Sequence, residues 1–427
     1  MNFKDWTDKA RGLESELAST SSIERKLLTT ALSRLHLLAC EAPIAVLAAY
    51  ERIQEAQLRK LATARMESIV RGNQRWTPDS DNAMVWMMAL AVQIRAVDEL
   101  LYTTAPTDFG DPDSGLDDWR CPATGMIVVP RPRNLPASRL DGRPYLKRGT
   151  LRHRLLPREV GGLEVLPLRV DLRASGEKNG LAASLFSNLR LTTRQTREGN
   201  FIAESVSFDD IEATLDAQID QSMQHGCAGV VWPELTIEPA IRSRICRMLK
   251  ERTIVREDEF PLHWLVAGSW HELTDRGFAN RATVLDGYGR VLHRFDKVIA
   301  ARDEAGRLED IVSGEYIPVL ITETKLIGLA ICRDFCDRAS QTSPYLALPV
   351  DLFVVPSMGE DSTMTAHLNV AAEVQAKTGA LAFVVQQTDA RQATESELGF
   401  VLPMPPSPSS VAPKSLKVKN KWIFIPD

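Results

Sequence analysis

The sequence predicts an α/β protein that carries a mainly helical N-terminal extension. Three observations lead there. Apolar residues recur at helical spacing through the first part of the chain, from Ile23, Leu27 and Leu28 to Leu38. Short apolar runs alternate with helical patterns from about Leu163 onward. Between them lies a stretch crowded with Pro, Gly, Asp and Arg.

The chain has 427 residues. At roughly 150 residues per domain, that is room for more than one domain and a large core. The expected division is a helical domain over 1–106, an Arg/Pro-rich linker over 107–162 and a third segment over 163–427 with an atypical end after about 390. The formal net charge of −5 gives no global reason to expect nucleic acid or a membrane surface as partner. Residues 1–10 are polar and charged, unlike a secretory leader. The longest apolar run, Ala83 to Val92, is far shorter than the ~20 residues a spanning helix needs. A cytoplasmic, reduced setting is therefore expected. The six cysteines form no C-x-x-C pair, and Cys332 and Cys336 have no neighbouring ligand pair, so neither a disulfide scaffold nor a metal is expected.

In the helical segment Pro43 interrupts a first amphipathic pattern, which resumes through Ile44, Leu47, Ala48 and Leu58. A further helix is expected over Asn82 to Tyr102, after the start signal Thr77-Pro78-Asp79-Ser80. Such helices suit a packing module or one that docks a protein partner. In the linker, Arg131, Arg133, Arg139, Arg143, Lys147, Arg148, Arg152, Arg154 and Arg158 face only Asp141 and Glu159. With Tyr145 as the one interleaved aromatic, salt bridges or a solvated connector explain this stretch better than nucleic-acid binding.

Three strand-like runs of the last segment lead to a reactive residue. Gly229 to Pro233 delivers Glu234, Val291 to Asp296 delivers Lys297, and Leu326 to Ile331 delivers Cys332. Functional residues of α/β folds gather past the carboxyl ends of strands, so these three can converge. A thiol of ordinary pKa is only a few per cent thiolate at neutral pH, and a carboxylate beside it can take the proton as it attacks. An ammonium can stabilise the oxyanion that results, helped by the backbone N–H of Arg333.

These segments resemble the nitrilase, or carbon–nitrogen hydrolase, superfamily. Trp232-Pro233-Glu234-Leu235 is similar to that family's glutamate motif. Asn280 through Lys297 is similar to its lysine-bearing hairpin, and Ile327 through Phe335 to its cysteine-bearing strand. Ser313-Gly314-Glu315 and Asp351 to Ser357 resemble supporting pieces in the expected order.

The resemblance covers roughly residues 163–390. It implies a four-layer α-β-β-α sandwich, usually paired with a second subunit. It implies a Glu234–Lys297–Cys332 triad acting on a small-molecule amide or carbamoyl group, ahead of a nitrile, through a thioester and without a cofactor. It also implies a second glutamate after the lysine, for which Glu304 matches best and Glu309 competes. Trp232, Trp270, Met358 and His367 are candidate pocket walls. After Gln387 the chain departs from the family pattern, with a Pro/Ser-rich tract from Leu402 to Pro413 and a basic tail before Trp422 to Ile425. A nitrilase-like interaction module with little catalysis is the alternative reading.

Overall fold

The computed structural model describes residues 1–18, 24–73, 75–104, 119–130, 141–170, 180–255, 262–322, 325–337, 343–392, 397–403 and 413–426. The chain forms two compact units, Met1–Glu159 with Glu323–Lys325, and Val160–Thr322 with Leu326–Asp427.

The first unit begins with α1 (Phe3–Ala18), α2 (Arg25–Cys40), α3 (Ile44–Tyr50), α4 (Glu55–Val70) and α5 (Ala83–Thr104). Pro43 ends the second helix pattern and sits at the N-cap of α3, where its missing N–H is harmless. α5 buries Trp86, Leu90, Ile94, Val97 and Leu101 and packs against α2, α3 and α4. It is nearly apolar around its circumference, the pattern of a helix buried within a core. No single described helix is long and apolar enough to cross a membrane.

The expected linker over 107–162 is corrected by its described residues. They form β1 (Arg120–Cys121), β2 (Met126–Pro130), α6 (Tyr145–Arg148) and β3 (His153–Pro157). β1, β2 and β3 make a small antiparallel sheet. Val128 and Leu155 join the core of the first unit. Asp98 on α5 explains part of this order, since its carboxylate accepts from the backbone N–H groups of Leu151, Arg152 and His153. Arg131, Arg133 and Arg139 lie outside the described residues.

The second unit runs β4 (Glu159–Val160), β5 (Leu163–Arg169), β6 (Leu181–Ser184), β7 (Arg190–Gln195), β8 (Phe201–Ser207), α7 (Ile211–Gln224), β9 (Gly229–Trp232), α8 (Pro239–Val255), β10 (Trp264–Thr274), β11 (Gly277–Asp286) and β12 (Val291–Asp296). It continues with β13 (Tyr316–Ile321), β14 (Leu326–Leu329), α9 (Arg333–Cys336), β15 (Leu352–Met358), α10 (Asp361–Lys377), β16 (Leu381–Gln387), β17 (Gly399–Leu402), β18 (Leu416–Val418) and β19 (Trp422–Ile425).

Two mixed sheets organise it. One has the order β12-β11-β10-β9-β6-β19, the other β18-β17-β16-β15-β14-β13-β5-β4. Val231, Val266 and Val284 of the first share a buried cluster with Leu329, Val354 and Phe383 of the second. Alternation puts the other face of β9 and β10 against helices. There Val230, Trp232 and Leu265 pack with Leu215 and Ile219 of α7 and Ile245 and Leu249 of α8. α10 lies against β16 and β17. The terminal segment Trp422–Ile425 is an edge strand paired with β6. Most of the Pro/Ser-rich tract 402–413 lies outside the described residues.

Candidate active site

Glu234 stands two residues past β9, Lys297 directly after β12 and Cys332 just before α9. All three line one cavity of about 720 Å³ in the second unit. Backbone geometry is unusual at two of these turns. Leu235, beside Glu234, has φ 54°, and Cys332 itself has φ 45°. Non-glycine residues at positive φ are uncommon and cluster at functional sites. Gly268 presses on the Glu234 turn, for a Cβ there would sit 2.4 Å from the Pro233 carbonyl oxygen. Gly314 does the same behind the lysine: a Cβ would meet the Asp296 carbonyl oxygen at 2.2 Å, while its N–H donates to the Lys297 carbonyl at 2.9 Å.

The Lys297 ammonium is 1% exposed and donates to Glu234 Oε1 at 2.7 Å and Glu309 Oε2 at 2.8 Å. An ammonium has three N–H groups. The third has no acceptor among the described residues, and Lys297 lines the cavity. Asn280 Nδ2 bridges the same two carboxylates, at 2.9 Å to Glu234 and 2.8 Å to Glu309. The second oxygen of Glu234 accepts from the Met358 N–H at 3.2 Å.

Burial opposes the charged form of Lys297, yet Glu234 and then Glu309 hold its pKa well above the ordinary lysine value. Burial likewise opposes a charged Glu309, but the Lys297 ammonium and the donors around it hold that carboxyl below the usual carboxylate range. The Cys332 thiol moves the other way. Burial first, and the Glu234 carboxylate second, push it well above its ordinary value, against Lys297. The resting site thus holds Cys332 as a thiol, Lys297 as an ammonium and Glu309 as a carboxylate.

The second glutamate is corrected here. Glu309, not Glu304, bonds Lys297. Glu304 is exposed at the cavity mouth. Glu309 arrives from a loop held by β8, where Phe201 N–H donates to the Leu308 carbonyl and Asp310 N–H to the Phe201 carbonyl, both at 2.9 Å. Its carboxylate also accepts from Ala301 N–H and His271 Nε2, each at 2.8 Å. Ala203 N–H donates to His271 Nδ1 at 2.6 Å, so the ring hydrogen sits on Nε2, facing Glu309.

Asp334, which the sequence reading left without a role, ties two parts of the site together. Its carboxylate accepts from Val298 and Ile299 N–H at 3.0 and 2.8 Å, one and two residues past Lys297. Burial pushes its carboxyl up to about 7 despite those donors.

The remaining candidates separate. Met358 lines the cavity and Arg333 opens α9, so no carbonyl within that helix accepts its backbone N–H. Trp232, Trp270 and His367 are corrected as pocket walls. Trp232 is buried on the helix side, its indole N–H donating to Gln218 Oε1 at 2.9 Å. Trp270 joins the same apolar cluster. His367 is buried behind Ser357, 3.0 Å from its hydroxyl. The wall residues that sequence reading missed include Phe201, Leu191 and Thr193 of the β7–β8 hairpin, which no local pattern connects to the triad. The mouth also carries Arg302, Arg307, Arg391 and Asp389. Arg307 pairs with Asp303 at 2.6 Å and Arg391 with Asp389 at 2.8 Å. Among the described residues no His/Cys/Asp/Glu group is arranged to hold a metal.

No family model matches the sequence, and no curated protein matches it. Solved structures are similar in part. An amidase from Nesterenkonia sp. AN1, carrying acrylamide added at its active-site cysteine, is 16% identical, with 57% of this chain and 91% of that one covered and a TM-score of 0.39. A second structure of that amidase, described as from the nitrilase superfamily, gives 16% identity, 60% and 92% coverage and a TM-score of 0.40. A butyramide complex of it gives 17%, 60%, 94% and 0.38. These TM-scores are below 0.5, so the functional reading is built on this chain's own side chains.

Proposed function

We propose that the second unit is a nitrilase-like carbon–nitrogen hydrolase that cleaves an amide or carbamoyl group through a thioester on Cys332. The observation that carries this reading is the buried ammonium of Lys297, gripped by Glu234 and Glu309, with one N–H unpaired among the described residues in the cavity that Cys332 also lines. Helices α7 and α8, two facing sheets and helix α10 support the four-layer sandwich that the sequence resemblance implies.

The chemistry follows from the charges. A thiol held protonated must lose its hydrogen as it attacks, and Glu234 is the acceptor. Sulfur bonds to the carbonyl carbon while the π pair moves onto oxygen. The free N–H of Lys297 and the backbone N–H of Arg333 donate to that oxyanion. Glu234 returns its proton to the departing nitrogen, and ammonia or an amine leaves. Water, deprotonated by Glu234, then attacks the thioester; the carboxylic acid leaves and the proton returns to sulfur. Glu309 keeps Lys297 charged and in place throughout. The cavity's size and charged mouth favour an amide with a polar body over a simple short-chain amide.

Turnover of a panel of amides and carbamoyl compounds, followed as released ammonia or amine, tests this. Wild type should hydrolyse at least one, and Cys332→Ala should lose at least about a thousandfold in kcat/KM. Turnover that survives Cys332→Ala, or none by wild type across the panel, sinks the reading and leaves the interaction module.

A further inference from the structure

The mechanism above leaves one fully buried polar chain unused. Ser357 and His367 are both 0% exposed. Ser357 Oγ lies 3.2 Å from Cys332 Sγ and 3.0 Å from His367 Nε2. The fold places it there. The Cys332 backbone N–H donates to the Pro356 carbonyl at 2.9 Å, extending the parallel pairing of β14 with β15 past the strand end. That locks the sulfur beside the next residue of β15.

A serine hydroxyl has one hydrogen to give. It can point to sulfur or to His367 Nε2. The imidazole decides which. With its hydrogen on Nε2, His367 donates to Ser357 Oγ, and the serine hydrogen is left for sulfur. With it on Nδ1, a buried N–H would lack an acceptor, because His367 Nδ1 has no partner among the described residues. An orphaned buried N–H is rarer and costlier than an unfilled lone pair. The ring packs on Phe335, centroids 6.1 Å apart, and burial alone lowers its pKa to about 3, so it is neutral. The chain therefore runs from His367 Nε2–H to Ser357 Oγ and from Ser357 O–H to Cys332 Sγ.

We infer that Ser357 is a further catalytic residue, donating a hydrogen bond to the Cys332 sulfur as its negative charge develops, and that His367 is the positioning residue that aims the hydroxyl. This rests on Cys332 being the nucleophile. In the resting thiol, Sγ–H points to the Met358 carbonyl at 3.7 Å. When that hydrogen passes to Glu234, sulfur gains charge, and Ser357 is the only hydrogen-bond donor to it among the described residues. The serine keeps its own proton, so no bond to it forms or breaks. The same donor acts again when thiolate is expelled as the thioester is hydrolysed. A hydrogen bond to a charged atom is roughly twice as strong as one to a neutral atom, so the effect is concentrated in the charged states.

Alkylation of Cys332 in the full chain by iodoacetamide, followed by mass spectrometry across a pH series, tests this without an amide substrate. Ser357→Ala should react about tenfold more slowly at neutral pH, the worth of one charge-assisted hydrogen bond, and its pH midpoint should move up. His367→Leu should slow the reaction in the same direction. His367→Gln, whose amide can donate to Oγ, should stay within about threefold of wild type. Circular dichroism shows which variants are folded. Folded Ser357→Ala that alkylates at the wild-type rate with an unmoved midpoint overturns the inference. His367→Gln as slow as Ser357→Ala overturns the positioning role. Wild-type Cys332 that is not alkylated at any pH in the series removes the nucleophile, and with it the hydrolase reading itself.

Discussion

Each unit buries a cluster of charges, and the two clusters do different work. In the first unit Glu55 is fully buried against Arg95 at 2.6 Å and Arg148 at 3.5 Å. Main-chain carbonyls take most of the N–H groups that the carboxylate leaves over. Arg148 donates to Arg143, Tyr50 and Ile53, and Arg95 to Gly149 and Arg148. The Arg148 guanidinium also covers the Tyr50 ring at 4.6 Å. In the second unit Lys297 keeps an N–H unpaired among the described residues, faces a cavity and has a thiol as neighbour on the cavity wall. Buried charge is costly unless paired. Where main-chain carbonyls take the donors, the pairing fixes loops onto helices. Where one is withheld, it prepares a site for charge that has yet to form.

That contrast can be broken by experiment. The largest effect should come from Lys297→Met, which removes the ammonium and leaves two buried carboxylates sharing the space. Loss of at least about a thousandfold in kcat/KM is expected, with one carboxyl taking up a proton. A variant that keeps activity within tenfold would place the oxyanion donor elsewhere. Glu55→Gln should act on stability instead. Leaving Arg95 without its carboxylate, and Arg148 with only Asp141 at 3.9 Å, should cost about 3–5 kcal/mol in denaturant titrations, while folded protein keeps its turnover per molecule.

A smaller effect separates the two acidic candidates. Glu309→Gln should lower kcat about 10- to 100-fold by loosening Lys297, as loss of an orienting partner does around metal ligands. Glu304→Gln should stay within about twofold. Steady-state kinetics on the pair decides it, and equal effects would undo the assignment of Glu309.

The smallest effect is on acid stability. His36 in the first unit is lowered to about 4 by burial and by Arg154, and His367 in the second to about 3 by burial. Both are neutral in the fold, and in the unfolded chain each gains a proton below about 6.5. Stability they contribute is therefore present above about 6.5 and lost as pH falls toward those depressed values. Each can account for at most about 1.4 kcal/mol per pH unit. His36→Gln and His367→Gln should each flatten the decline between pH 6 and 4 in chemical denaturation. An unchanged slope in both would mean that other groups set it.

Much of this was legible in the sequence because strands announce themselves. The runs before Glu234 and Cys332 are short, apolar and bounded, the run before Lys297 is short and strand-like, and the structure puts strands at all three. α7 falls within the helical pattern of Phe208 to His225, and α10 overlaps that of Thr365 to Thr378. Helix α8, with a weak apolar stripe among Arg and Glu residues, gave no such signal. The linker misled because its arginines looked solvated. Arg148 is wholly buried, and Arg152 pairs with Glu99 at 2.8 Å across a long stretch of chain.

By itself the sequence determined which residue types stand at the strand ends and in what order: a carboxylate, an ammonium and a thiol. Local periodicity and turn chemistry suffice for that, since they depend on neighbours along the chain. Tertiary structure alone decided that Glu309 takes the second carboxylate position, that Trp232 and Trp270 belong to the helix-facing core, and that His367 stands behind Ser357. Those outcomes depend on which strand lies beside which and which loop a distant hairpin holds. A hydrogen bond of about 2.8 Å, such as Glu309 makes with Lys297, is set by three-dimensional register, and no spacing along the chain encodes it.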